Sequence, residues 1–298
     1  MPDLPDIAAT LAGVAILLVM VREIFCQLFH PEGDDSIGRW IFRGGRAIAR
    51  RTNTTGQVIT GPICVIAVIG MWLLLATIGW TMLLVPHVPS GIAYGDGVAS
   101  HGTLADAAYL SFVSISTLGF GDLTPDTLLL RLLWPLQAIM GFGIITAGMT
   151  WGLSAFGPLG RQRSVARYVN LVLREPELDA ATLEELSRMV TSATIDVKLA
   201  PVTYYIVPVS PQESLPGVVV RLWDVAEAAR RDPDRASAAT RLLRALDDLG
   251  EQLVTTHLAP APLRDVHGRA RLAAYRDDAE PRGRIAPQAS GSTRRALS

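Results

Sequence analysis

Six residues, Thr117-Leu118-Gly119-Phe120-Gly121-Asp122, have the types and spacing to hold a dehydrated cation. Such an ion needs a cage of oxygens, and backbone carbonyls supply one when consecutive residues turn them toward a common axis. Side-chained L-residues resist that geometry in a row, whereas Gly119 and Gly121 can take the alternating dihedrals it demands. Thr117 adds a hydroxyl oxygen at one end. Leu118 and Phe120 are expected to wedge against the surrounding helix and fix the width of the cage. Asp122, just beyond, places a carboxylate where it would raise the local cation concentration. No Ser/His/Asp or Cys/His set can be nominated for catalysis, and His30, His87, His101, His257 and His267 lack metal-ligand spacing.

These residues have to be held by their neighbours. Tyr109-Leu110-Ser111-Phe112-Val113-Ser114-Ile115-Ser116 leads into the hexapeptide, and Thr103-Leu104-Ala105-Asp106 has the spacing of a capping box, with Thr103 as N-cap and Asp106 three residues on. Leu104 to Ser116 is 13 residues, about 20 Å of helix at 1.5 Å per residue. That is too short to cross a bilayer, so the helix must re-enter. Non-helical backbone is tolerated at that depth only when buried in protein or lining a water-filled path.

Ser116 to Pro125 resembles the filter of tetrameric potassium channels, whose signature runs Thr, aliphatic, Gly, Tyr or Phe, Gly, Asp. The resemblance covers about residues 58 to 157. It departs in having Phe120 in place of Tyr and no Trp in the pore helix, which touches the rigidity of the filter. It implies an all-α membrane protein built on the potassium-channel pore unit: outer helix, pore helix, filter and inner helix. An extra N-terminal helix and a C-terminal helical cytoplasmic domain would flank that unit. It further implies that K+ is coordinated by the carbonyls of Thr117, Leu118, Gly119 and Phe120, with Gly121 completing the filter and Asp122 at the outer mouth. One filter per chain requires a homotetramer to close a ring. A potassium transporter would carry four such units in one chain.

Composition agrees with a membrane protein, at 49% apolar and 18% charged residues in 298, with mean hydropathy +0.31. The net charge of −1 gives no reason to expect a nucleic-acid partner. Lys198 is the only lysine against 26 arginines, and Cys26 and Cys64 each lie in apolar runs and offer no disulfide framework.

Taken in order, residues 1–30 form an N-terminal transmembrane helix, because Ile7 to Phe29 is 23 residues, interrupted by Arg22-Glu23. Lying at the interface is the alternative for this run. Arg22 would snorkel, and Glu23 would pair with a neighbouring helix. Residues 31–57 are a basic amphipathic linker in which Arg39, Arg43, Arg46 and Arg50 share a stripe and Arg51 follows, suited to a membrane surface. Residues 58–158 are the pore domain. Its outer helix is expected over Pro62 to Val85, a polar turret over 86–103, and the inner helix over Asp126 to Phe156. Gly141 or Gly143 is the candidate gating hinge, although glycines in membrane helices also serve close packing. Five arginines in the linker and Arg161, Arg163 and Arg167 after the third span, against none in the turret, place both basic regions in the cytoplasm and the turret outside. The expected location is a bacterial cell membrane, multi-pass, with the C-terminus cytoplasmic.

Residues 159–258 read as a helical cytoplasmic domain for oligomerisation or pore stabilisation, with Val202 to Val207 extended, and 259–298 as a disordered tail. No nucleotide-binding fingerprint follows a strand, and no cofactor is expected beyond the permeant K+. Two other functions fit the same residues. One is a weakly selective cation channel, which Phe120 keeps open. The other is a non-conducting scaffold or receptor in the bilayer that uses the pore unit for assembly.

Overall fold

A computed structural model describes residues 3–29, 37–52, 54–175, 177–206, 208, 210–257 and 267–279. The chain divides into two compact units, residues 1–44 with 62–154, and residues 45–61 with 155–298.

In the first unit, α1 (Leu4–Phe29), the body of α3 (Thr54–Leu84) and α5 (Leu128–Ser154) are the long apolar helices. All three are long and apolar enough to cross a membrane. Their windows carry almost no charge, so helix, which satisfies every backbone group internally, is the structure open to them in lipid. Pro62 lies inside α3, which begins at Thr54, upstream of the expected Pro62. Early α1 meets late α3, so the two run antiparallel. A Cβ on Gly13 would sit 2.7 Å from the Gly79 carbonyl oxygen, and one on Gly79 2.8 Å from the Leu17 side chain. This is the small-residue crossing that brings membrane helices together. Glu23 is buried, and its Oε2 accepts from the Ile37 backbone N–H at 2.8 Å. Ile37 opens α2 (Ile37–Ala49), so the carboxylate meets the positive pole of that helix.

Between α3 and α5 lie β1 (Ile92–Tyr94), α4 (Thr103–Ile115) and β2 (Leu123–Pro125). The two strands pair antiparallel, with Ile92 opposite Pro125 and Tyr94 opposite Leu123. Three-residue strands are too short to be read from periodicity, and 86–103 was expected only as a polar turret. A small core of Leu84, Ile92, Leu110, Leu123 and Leu130 sits beneath this region.

The second unit holds α6 (Phe156–Val172), α7 (Ala180–Leu199), α8 (Leu215–Ala229), α9 (Ala236–Thr256) and α10 (Arg269–Ala279). Leu183, Leu186, Leu242, Leu246, Leu249 and Leu253 are fully buried, the apolar face of each helix meeting the others. Asp179 caps α7, accepting from the Thr182 N–H at 2.8 Å.

Two expectations change here. Pro201–Tyr205 is a 3-10 turn where an extended segment was expected over 202–207, because Thr203 ties back to the Ala200 carbonyl through both its N–H and its hydroxyl; Val207 lies outside the described residues. The tail expected to be disordered contains α10, whose Leu272 and Tyr275 are buried against α8 and α9. Two large side chains spaced three apart suffice to dock a short helix, and they are few enough to leave the composition looking polar. The rest of 259–298, apart from 267 and 268, lies outside the described residues, as do Pro31, Gly33 and Asp34-Asp35 of the linker.

Candidate functional site: the pore loop

The loop after α4 has an alternating backbone. Thr117 (φ 58°), Gly119 (φ 54°) and Gly121 (φ 78°) are left-handed, and Leu118 and Phe120 between them are not. That alternation turns successive peptide units the same way, which no run of ordinary φ values does. Thr117 is the only non-glycine with positive φ among the described residues, a conformation that costs an L-residue about 1–2 kcal/mol. It is held there by hydrogen bonds back to the helix: Thr117 N–H to the Ser114 carbonyl and Leu118 N–H to the Val113 carbonyl, both 3.0 Å.

The far end is pinned from three sides. Gly95, following β1, donates its N–H to the Asp122 carbonyl at 2.7 Å, and Asp126 donates to the Gly91 carbonyl at 2.9 Å. Tyr109, in the middle of α4, donates its hydroxyl to Asp122 Oδ2 at 2.7 Å. The loop backbone is therefore fixed at its start by α4, at its end by the sheet, and across its span by one phenol. Tyr109 makes the tie that Phe120, lacking a hydroxyl, cannot. Tyr109 was expected only as part of the pore helix, and its 13-residue separation from Asp122 carries no periodic signature that would have marked the tie.

Asp106 is buried but not as expected. The N-cap of α4 is Gly102, with φ 104°, and no side chain caps the helix; Thr103 is the first helical residue. Gly102 takes a conformation barred to Thr, so the chain enters the helix one residue early. Asp106 instead accepts from Tyr94 Oη at 2.7 Å, Ser100 Oγ at 2.6 Å and the His101 N–H at 3.2 Å. A carboxylate in the first turn is favoured by the helix dipole, and here it gathers the turret as well.

Behind the loop, α5 is pressed onto α4. A Cβ on Gly141 would sit 2.1 Å from the Ile115 carbonyl oxygen, so only glycine fits. Gln137, buried one turn earlier, donates Nε2 to the Ser111 carbonyl at 3.1 Å. Gly141 is thus a packing position, while Gly143 has nothing within 4 Å of where its Cβ would be. Leu118 and Phe120, expected to wedge against the surrounding helix, are 57% and 66% exposed in the single chain.

The outer helix, pore helix, alternating loop and inner helix now stand in one unit, and residues 62–155 match the model of a family described as ion channels. Residues 62–155 are an ion-channel domain. No curated protein and no solved structure matches the chain. The ion-channel domain occupies about a third of the chain, with α1 and α2 before it and α6 to α10 after it.

Proposed function

We propose that this chain forms a potassium-selective channel in which four copies surround one axis and Thr117 to Gly121 line it. The observation that carries the reading is the left-handed alternation at Thr117, Gly119 and Gly121, which turns consecutive carbonyls to one side. Thr117, Leu118, Gly119 and Phe120 supply the coordinating carbonyls, and Asp122 concentrates cations at the outer mouth. The C-terminal end of α4, the negative pole of that helix, favours a cation on the inner side.

The apolar side chains left exposed by a single chain support assembly in a bilayer. Leu132, Leu136, Ile139, Phe142, Met149 and Leu153 line exposed faces of α5, suited to contact with lipid or with neighbouring copies. Leu118 and Phe120 then wedge against the next copy. The hinge belongs at Gly143, because bending at Gly141 would break its contact with Ile115. The ion-channel domain lies in a bacterial cell membrane, with the turret outside and the C-terminal unit in the cytoplasm.

Purified protein in liposomes tests this directly. Potassium flux far above sodium flux, blocked by barium, is the expected result. Equal fluxes would make the pore a weakly selective one, and no flux under any condition would leave an assembly scaffold.

A further inference from the structure

Residues 45–61, the last turn of α2 and the first turns of α3, belong to the same compact unit as the C-terminal helices. They touch it at two places. Arg46, its side chain only 14% exposed, donates Nη1 to the Tyr204 carbonyl at 3.1 Å and Nη2 to the Asp278 carbonyl at 2.8 Å. Its guanidinium also lies 4.4 Å from the centre of the Tyr204 ring and 3.1 Å from Asp278 Oδ2. Arg50 and the Tyr204 hydroxyl both donate to the Asp278 carboxylate as well. Fifteen residues after Arg46, a Cβ on Gly61 would sit 2.9 Å from the Tyr205 carbonyl oxygen and 3.0 Å from Ile206 Cα. The arginine stripe of α2 is therefore split: Arg46 and Arg50 bind protein, contrary to the expectation of a stripe facing lipid.

Asp278 sits in the last turn of α10, beside Asp277. Two carboxylates at the negative pole of a helix disfavour it, and the terminal carbonyls there have no partner within the helix. Arg46 and Arg50 remove both defects, supplying charge to Asp278 and a donor to its carbonyl. Among the described residues, Asp277 pairs with Arg276, on an exposed surface. Burial raises the Tyr204 hydroxyl well above its ordinary value, so it stays a proton donor to Asp278.

We propose that α10 is a clamp: its docking and the position of residues 45–61 are one coupled event, and releasing it changes how readily the channel opens. The coupling is reciprocal, since whatever loosens α10 must loosen residues 45–61 by the same free energy. The last of those residues continue without a break into the body of α3, the outer helix of the ion-channel domain, and a single residue, Ala155, separates the inner helix from α6. The gating half of this inference rests on the channel reading; the clamp itself does not.

Full-length protein in liposomes separates the two. Hydrogen exchange is measured on α10 and on residues 45–61, and potassium flux on the same samples, for wild type, Arg46→Gln, Asp278→Asn, the double variant and the control Asp277→Asn. Arg46→Gln is expected to speed exchange in the last turn of α10 about tenfold, and Asp278→Asn to do the same for residues 45–52. Both are expected to shift flux at least threefold, with the double variant no further than the larger single effect and Asp277→Asn unchanged. Exchange that rises only on the mutated side, or rises equally in Asp277→Asn, overturns the clamp. Coupled exchange with unchanged flux overturns its regulatory role. A wild type that conducts nothing refutes the channel reading, while the exchange measurement still decides the clamp. Circular dichroism with wild-type helix content, and recovery in Asp278→Glu, distinguish release of α10 from loss of the fold.

Discussion

The two units use apolar residues in opposite ways. In the C-terminal unit, Leu183, Leu222, Leu242, Leu246 and Leu253 reach no solvent, and most charged side chains take the outside, Asp196 and Arg271 excepted. In the first unit, only 22% of the most apolar window of α3 is buried and 11% of that of α1, and Leu118, Phe120, Phe112 and Phe142 are all more than half exposed. One region closes a core within itself. The other spends its internal contacts on fixing a backbone, namely Gly141 on Ile115, Tyr109 on Asp122 and β1 on β2, and leaves its apolar surface exposed, as suits lipid contact. A pore loop depends on where its main chain points; a helical bundle depends on what its side chains exclude. The same kind of substitution should therefore read out differently in the two units.

The largest contrast is expected at Gly119. With φ at 54° there is open space for a Cβ but a left-handed backbone to hold, so Gly119→Ala costs about 1–2 kcal/mol in each copy. The assembly should survive in detergent by size-exclusion chromatography. Potassium flux should fall to the liposome background, because in the proposed assembly one displaced carbonyl per copy breaks the ring. Selective current in that variant would remove the filter assignment.

Leu246→Ala is the counterpart in the other unit. Leu246 is fully buried, and deleting such a side chain costs about 2–5 kcal/mol. Thermal unfolding followed by circular dichroism should show the C-terminal helices melting well below wild type, while the potassium-to-sodium flux ratio stays where it was. A changed ratio would mean the two units are not separable in this sense. Next comes Gly141→Ala, where a Cβ 2.1 Å from the Ile115 carbonyl forces α5 off α4, an overpacking cost of about 1–3 kcal/mol. Gly143→Ala, with nothing within 4 Å, should leave stability unchanged. Equal destabilisation by both would show that Gly141 is not the packing position.

What could be read from the sequence follows the same division. Except for α10, the longer helices of both units were legible, since a charge-free run of membrane length and a leucine stripe at helical spacing each depend on residues near one another in the chain. The hexapeptide was legible because its glycines are demanded by backbone geometry. Three features were not. The tie from Tyr109 to Asp122 and the Gln137 bond to Ser111 join residues whose spacing has no periodic signature. The entry to α4 looked like a capping box, but a left-handed Gly102 starts the helix in a way a Thr N-cap could not. The docking of α10 rests on Leu272 and Tyr275, and on arginines more than 200 residues away in a stripe that read as a lipid-facing one.

The smallest effect expected is at the surface of the C-terminal unit, where Arg269 of α10 holds Asp224 of α8 by two hydrogen bonds of 2.6 and 3.0 Å. The Arg269 guanidinium keeps the Asp224 carboxyl below its ordinary value of 3.8. A carboxylate with a depressed folded value stabilises fully above the unfolded value, and that contribution disappears as pH falls through the folded one. The pair is about half exposed, so solvent screening keeps its contribution small. Amide exchange in the first turn of α10, corrected for its intrinsic pH dependence, should therefore rise slightly as pH drops from 5 to 3 in wild type. In Asp224→Asn that rise should be absent and exchange slightly faster throughout. A rise of equal size in both proteins would show that the Arg269–Asp224 pair is not the source of the acid sensitivity of α10.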